Sequence, residues 1–108
     1  MSKYHNKRIE TEYGCFDSIK EYRRWQVLLI AEKAGVIKDL KRQVCYELIP
    51  KQSGERAVTY IADFVYTDVP TGTVVVEDVK SEATKKDKAY IIKRKLLLWV
   101  HGIKLREI

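Results

Sequence analysis

Two apolar runs joined by a polar turn constrain the fold of this chain more than any other feature. Residues 60–66 and 73–80 are rich in β-branched and aromatic side chains, which favours two β-strands. Residues 67–72 lie between them and contain the Asp, Pro and Gly that are typical of a turn. The pattern therefore predicts one antiparallel hairpin.

The charged residues Asp63, Asp78 and Lys80 interrupt strands that otherwise suit burial. A turn centred within residues 67–72 makes the numbers of paired residues sum to about 139, which places Asp63 opposite Val76. Asp63 and Asp78 are then diagonal neighbours on one face, about 7 Å or less apart at Cβ. Two carboxylates this close repel each other unless a cation neutralises them. A slip of one residue would instead place them on opposite faces.

The length and composition predict a single globular domain over residues 1–108, with residues 1–7 as a flexible basic arm. No apolar run reaches membrane-spanning length and the first residues lack an apolar signal segment, so we expect a cytoplasmic protein. Lys and Arg outnumber Asp and Glu by 21 to 15, giving a net charge of +6. This charge favours nucleic acid over a membrane as the partner, but it fits a merely basic soluble protein equally well.

The remaining pattern places the hairpin within an α/β fold. The order helix, three strands, helix, strand predicts a mixed sheet whose first three strands form an antiparallel meander and whose last strand returns after a crossover helix. The expected bounds are a small hairpin at 8–16, a helix at 18–34, a strand at 43–49, the central hairpin at 60–80, a polar loop at 81–87, a helix at 87–100 and a strand at 103–108.

Glu21 has two compatible interpretations. It completes a capping box with Ser18 at the start of the first helix. It also shares a helical stripe with Trp25 and Leu28, which faces the core, so its carboxylate can reach the hairpin face that carries the two aspartates. Gln43, at the start of its strand, either faces the same site or is an ordinary polar strand residue.

Other residues are assigned structural roles. Cys15 and Cys45 lack metal-ligand spacing and are expected to be reduced, and no His or Cys pattern indicates zinc. Glu77 alternates to the face opposite Asp78 and is expected to be a solvent-exposed or sheet-edge charge, while Lys20 and Arg24 are expected to point away from the hairpin. Trp25 is expected in the core, and the second helix is expected to bury Ala89, Ile92, Leu96, Trp99 and Val100.

Residues 78–80 form an acid-x-Lys triplet. The triplet alone carries little information, because residues 39–41 form another. More specific is its combination with Asp63 on the neighbouring strand and an inward Glu21. Carboxylate oxygens suit Mg²⁺ or Mn²⁺. Asp63 and Asp78 would hold the cation, Lys80 would orient a water or neutralise charge on phosphorus, and Glu21 could bind a second metal or an outer water.

These residues resemble the PD-(D/E)XK nuclease signature, and the element order is similar to the restriction-endonuclease-like αβββαβ core of that superfamily. Ala62 replaces the Pro of the motif, and Asp78 is the shorter acid. The wider sequence also resembles small phage-encoded nucleases related to Holliday-junction resolvases, at residues 13–21, 60–64, 75–80, 93–97 and 102–103.

The resemblance implies Mg²⁺- or Mn²⁺-dependent hydrolysis of DNA phosphodiester bonds in the host cytoplasm, leaving a 5′-phosphate. It implies catalytic roles for Glu21, Asp63, Asp78 and Lys80, with the three acids as metal ligands. Branched DNA is one expected substrate, and such resolvases usually act as homodimers. The alternatives are a non-catalytic nucleic-acid-binding module or an accessory subunit of a phage replication or packaging complex. The residues expected to contact DNA, with a solvated helix face as the alternative for the last two, are Lys85, Lys86, Lys88, Lys93 and Lys95.

Overall fold

The computed structural model describes residues 8–108, so the predicted basic arm at residues 1–7 lies outside the described residues. The elements are β1 (Ile9–Thr11), β2 (Gly14–Phe16), α1 (Ile19–Lys33), β3 (Ile37–Ile49), β4 (Val58–Asp68), β5 (Thr73–Asp78), α2 (Glu82–Lys85), α3 (Lys88–His101) and β6 (Arg106–Glu107). Within this part of the chain, no helix is both long enough and apolar enough to cross a membrane.

The main sheet has four strands in the order β3-β4-β5-β6. β3, β4 and β5 pair antiparallel, and β6 pairs parallel with β5 after the chain has passed through α3. β1 and β2 form a separate two-stranded hairpin. The predicted α/β fold with a mixed sheet is therefore confirmed.

Helix α1 forms as its sequence predicts. The Ser18 side chain accepts a hydrogen bond from the Glu21 backbone N–H at 3.1 Å, which satisfies one of the free donors of the first turn. The buried residues of the helix are Glu21, Trp25 and Leu28, which confirms the predicted inward stripe. The helix ends before Gly35, whose φ of +79° suits a residue without a side chain.

Strand β3 is longer than predicted, because it begins at Ile37 rather than Gln43. Its first half is irregular: Asp39 and Gln43 have positive φ values of 55° and 54°, and the register with β4 shifts between Lys38 and Lys41. This irregularity breaks the alternation of polar and apolar residues on which the sequence prediction depended.

The segment after β5 was expected to be a loop, but it contains the short helix α2. Ser81 caps this helix by accepting a hydrogen bond from the Thr84 backbone N–H at 3.2 Å. Asp87 then caps α3 in the same way, through Tyr90 N–H. Ser81 thus starts a short helix where the polar composition indicated a loop, whereas the helix that begins after Asp87 was predicted.

Helix α3 has nearly the predicted bounds, but its predicted buried face is wrong. Tyr90 and Leu97 are the buried residues of the helix, whereas Ile92 is exposed and Trp99 is 83% exposed. Apolar residues occur on all sides of this helix, so their spacing does not define one inner stripe. The face that carries Tyr90 packs inward, and its hydroxyl donates a hydrogen bond to Glu107 of β6.

The core consists of two clusters, one beneath each long helix. Ala62 of β4 belongs to the cluster beneath α3, and Phe64 of the same strand belongs to the cluster beneath α1. Asp63 lies between these two residues in the chain. The strand therefore passes from one cluster to the other at the acidic residue that the sequence analysis singled out.

Candidate functional site

The central hairpin pairs two residues later than predicted. Val76 lies opposite Val65 rather than Asp63, and Phe64 lies opposite Glu77. The turn occupies residues 69–72, so its centre falls one residue later than expected. A shift of two residues leaves every side chain on its predicted face. It also carries Asp63 opposite Asp78, one position beyond the last ladder pair, where the two acids are direct rather than diagonal neighbours.

The two aspartates hold each other's strand through crossed hydrogen bonds. Asp78 Oδ1 accepts from the Asp63 backbone N–H at 2.6 Å, and Asp63 Oδ2 accepts from the Val79 backbone N–H at 2.9 Å. These bonds from carboxylate to backbone fix the positions of both side chains. Gln43 also reaches this point, since its amide nitrogen lies 3.4 Å from Asp63 Oδ1. Of its two interpretations, the one that faces the site is the one observed.

Lys80 lies beside the pair. Its Nζ is 3.3 Å from Asp78 Oδ2, and it sits 4.7 Å from the ring centroid of Tyr90 and 5.8 Å from that of Tyr60. Asp78 is fully buried, and its Oδ2 is the oxygen that pairs with Lys80. The Lys80 ammonium group therefore compensates the charge of this buried carboxylate.

Burial raises the pKa values of both aspartates. For Asp63 the main opposing effects are the Val79 N–H and the charge of Lys80, and for Asp78 they are Lys80 and the Asp63 N–H. The ionised pair is therefore held by backbone donors and one ammonium group against its own desolvation. A divalent cation would favour the ionised state further.

Glu21 approaches the aspartates from α1. It is only 4% exposed, and Arg42 Nη2 lies 3.6 Å from its Oε1. Burial is the largest cause that raises the pKa of Glu21 to about 7; the charges of Asp63 and Asp17 raise it further, and Arg42 lowers it. A buried carboxyl group that titrates near neutral pH is frequent at functional sites.

These groups border a cavity of about 190 Å³ between the start of α1, β4 and the segment before α2. Glu21, Asp63 and Lys80 line it, whereas the buried Asp78 lies behind Lys80 and outside the lining. Three of the four predicted catalytic residues thus share one cavity, and the fourth contacts it through Lys80. The other lining residues are Asp17, Ser18, Lys20, Val79, Ser81 and Thr84.

The donor set fits a hydrated divalent ion rather than a preformed cage of three carboxylates. Between residues 8 and 108, no group of three or more His, Cys, Asp or Glu side chains is close enough to hold a metal ion. Mg²⁺ is usually bound through one or two carboxylates with water completing the shell. Asp63 and Glu21 line the cavity and could supply those carboxylates, whereas Asp78 is paired with Lys80 and does not line it.

Arg42 belongs to the site although sequence reasoning did not select it. Its guanidinium carbon stacks 3.7 Å from the ring centroid of Phe16, and its nitrogens donate to the Cys15 carbonyl at 2.8 Å and the Tyr13 carbonyl at 3.2 Å. Arg42 thereby links the β1–β2 hairpin to Glu21. A single arginine in a charged segment has no pattern that would predict this contact.

Glu77 lies on the predicted face, but the expectation that it is exposed is wrong. It is fully buried and accepts hydrogen bonds from Arg24 at 2.6 and 3.0 Å and from the Tyr66 hydroxyl at 2.7 Å. Arg24 therefore points toward the hairpin, contrary to expectation, because α1 packs against this face of the sheet. Lys20 is exposed, but it also reaches the end of the hairpin, with Nζ 3.4 Å from the Lys80 carbonyl oxygen and 3.0 Å from that of Ile108.

The five lysines expected to contact DNA do not share one surface. Lys85 lies 3.5 Å from Glu82 within α2, and Lys86 and Lys88 are exposed around the start of α3. Lys93 and Lys95 are about 200° apart around the helix axis. Accordingly, Lys93 lines a cavity together with Lys80, while Lys95 lines a different one together with Arg94.

The fold and this cluster of acids and lysine define an α/β protein with a charged cavity at the end of its central hairpin. The chain belongs to the family described as "Protein of unknown function (DUF1064)", whose profile matches residues 1–106. Searches of curated proteins and of solved structures gave no match.

Proposed function

We propose that this protein is a metal-dependent DNA endonuclease that hydrolyses phosphodiester bonds in the cytoplasm, with Mg²⁺ or Mn²⁺ as its cofactor. The observation that supports the proposal is the opposed pair Asp63 and Asp78, with the Lys80 ammonium group 3.3 Å from Asp78. A fully buried carboxylate such as Asp78 weakens a fold unless a cation is paired with it. The net charge of +6 fits a polyanionic substrate.

Each residue has a distinct role in the proposal. Asp63 and Glu21 present oxygens to the cavity, and Asp78 fixes Lys80 over the two tyrosine rings. When bound, Mg²⁺ or Mn²⁺ supplies a Lewis acid for a phosphate oxygen and lowers the pKa of a bound water. Lys80 orients water or neutralises charge on the phosphate. Glu21, whose pKa burial raises to about 7 in the metal-free protein, could bind a second metal or an outer water.

A non-catalytic nucleic-acid-binding module, or an accessory subunit in a phage complex, is the second candidate. One observation favours it: the net charge of +6 attracts a polyanion without any catalytic group. A binding module would depend on distributed lysines and arginines and would tolerate loss of the acids.

The deciding experiment incubates the purified protein with Mg²⁺ or Mn²⁺ and a panel of linear duplex, single-stranded and four-way branched DNAs. We expect cleavage by the wild type and at least about a 100-fold loss in Asp78→Asn, with DNA binding retained. Preferential cutting of the branched DNA by a homodimer would support the resolvase form of the proposal.

The matched control is Asp39→Asn, which alters the acid of the other acid-x-Lys triplet. Asp39 is exposed with a φ of 55°, a conformation that Asn adopts readily. The Asp39→Asn variant should cleave DNA as fast as the wild type does. Circular dichroism checks that both variants are folded. Undiminished cleavage by folded Asp78→Asn would reject the site.

A further inference from the structure

A second cavity adjoins the candidate site on the other side of Lys80. It has a volume of about 340 Å³ and lies between β4 and the first turns of α3. Lys80 lines both this cavity and the cavity that contains Glu21 and Asp63. The Lys80 ammonium group lies over the Tyr90 and Tyr60 rings, and both tyrosines line the second cavity. The two cavities are therefore neighbours that share one cation.

The charge of the second cavity is complementary to an anion. Lys80 and the half-buried Lys93 are its basic residues, and Asp87 is its one acid. The carboxylate of Asp87 accepts a hydrogen bond from the Tyr90 backbone N–H at 2.9 Å, so the positive end of the α3 dipole partly offsets its charge. Lys80 is itself paired with Asp78, whereas Lys93 makes no ion pair with another described residue, so Lys93 is the cation that an anion in this cavity would meet.

The rest of the lining is suited to the uncharged parts of a nucleotide. Ile61 is 52% exposed although it lies within a central strand, and it borders the cavity next to the two tyrosines. Its neighbours Tyr60 and Ala62 are buried, so Ile61 presents an isolated apolar surface. A basic rim beside apolar and aromatic side chains is typical of sites that contact a single nucleic-acid strand.

We propose that this second cavity binds the nucleotide next to the phosphate that is cleaved, with Lys93 contacting its phosphate and Ile61 contacting its sugar or base. The inference rests on the proposed function, which places the scissile phosphate in the cavity of Glu21 and Asp63. The DNA strand would then continue past Lys80 into the second cavity. Lys93, alone among the five lysines expected to contact DNA, shares a cavity with Lys80.

The test measures binding of fluorescein-labelled single-stranded and duplex oligonucleotides in EDTA by fluorescence anisotropy at several salt concentrations. Lys93→Gln removes a positive charge from the cavity, and Ile61→Glu adds a negative charge at an exposed position. We expect each variant to weaken single-strand binding by about 3- to 10-fold, and Lys93→Gln to reduce the salt slope by about one.

Matched controls make the same changes on α1. Lys33→Gln and Ile30→Glu alter exposed residues with the same shifts in net charge, and Lys33 lies twelve residues beyond Glu21 along α1, about 18 Å away. These variants should change affinity by less than about 2-fold. Equal losses in the cavity variants and the controls, or no loss in either, would overturn the proposal.

Cleavage and binding fail independently in this design. In one outcome, the wild type cuts DNA, Asp78→Asn does not, and both cavity variants bind DNA normally. This outcome would support the nuclease function and reject the second cavity as a nucleotide site. In the other outcome, the wild type does not cut DNA, but both cavity variants lose single-strand binding. This outcome would support the cavity as a nucleic-acid site and reject the nuclease function.

Discussion

Asp63 and Asp78 show how far one residue's position follows from sequence. Alternation along the strands predicts both carboxylates on one face, and the structure brings the two residues together through crossed hydrogen bonds. The pairing partner is different, because a turn of residues 69–72 moves the register by two. An error of two residues preserves the face, whereas an error of one would have separated the pair. The sequence therefore predicts that Asp63 and Asp78 lie close together, but it does not predict which backbone groups they contact.

Glu77 illustrates the opposite limit. Alternation gives its face correctly, yet sequence alone cannot tell whether that face is covered. Helix α1 covers it, and Arg24 and Tyr66 supply the hydrogen bonds that a fully buried carboxylate requires. Arg42 was missed for the same reason: its role depends on which elements meet, not on the residues beside it in the chain.

The raised pKa of Glu21 predicts a pH dependence of stability in the metal-free protein. A carboxyl group with a pKa of about 7 when folded and 4.5 when unfolded stabilises the fold fully below pH 4.5, and this contribution is lost as the pH rises to 7. Replacing it by Gln removes that loss. We expect Glu21→Gln to gain about 3 kcal/mol in unfolding free energy over the wild type between pH 4.5 and pH 8.

Urea unfolding in EDTA at a series of pH values measures this difference. The control is Glu10→Gln, an exposed position on β1. It removes the same charge from the surface of the protein. If the pH dependence of Glu21→Gln does not differ from that of this control, the raised pKa of Glu21 is contradicted.

Helix α3 shows what is and is not predictable for an element. Its ends follow from Asp87 and from Gly102, which has a φ of +67°, so the bounds were nearly correct. The predicted rotation of the helix about its axis was wrong, because its own apolar residues occur on all of its sides. The inner face is selected by contacts with other elements, such as the hydrogen bond between Tyr90 and Glu107.

The two tryptophans test this rotation. Trp25 is buried and stacks on Phe64 with ring centroids 5.9 Å apart, whereas Trp99 is 83% exposed. We expect Trp25→Ala to cost about 3–5 kcal/mol in urea unfolding and Trp99→Ala to change stability by less than about 0.5 kcal/mol. In the intact protein, acrylamide should quench the fluorescence of Trp99 but hardly that of Trp25.

Single-tryptophan variants, Trp25→Phe and Trp99→Phe, assign the quenching to each residue. A large stability loss in Trp99→Ala, together with weak quenching of Trp99, would contradict the rotation of α3. The predicted inner stripe through Ile92 and Trp99 would then be correct after all.

At the scale of the whole molecule, the site is assembled from several elements. Helix α1 contributes Glu21, strand β4 contributes Asp63, and strand β5 with the two residues after it contributes Asp78 and Lys80. A ligand held between these elements binds only the folded chain and so shifts the folding equilibrium.

Divalent ions should therefore stabilise the protein. We expect Mg²⁺ or Mn²⁺ at about 100 times its dissociation constant to add about 2.7 kcal/mol to the unfolding free energy of the wild type, and to add almost none in a double variant with Asp63→Asn and Asp78→Asn. Thermal unfolding with and without the ion, at matched ionic strength set by NaCl, measures both. Equal shifts in the two proteins would place the ion elsewhere.

The crossed bonds between the aspartates also give the molecule a built-in reporter. The backbone N–H groups of Asp63 and Val79 donate hydrogen bonds to the carboxylate oxygens of Asp78 and Asp63, respectively. An ion or a proton that binds these carboxylate oxygens weakens their hydrogen bonds to the two amides, so these amides should lose protection before others. Their exchange with deuterated solvent should therefore follow occupancy of the site residue by residue, without any substrate being turned over.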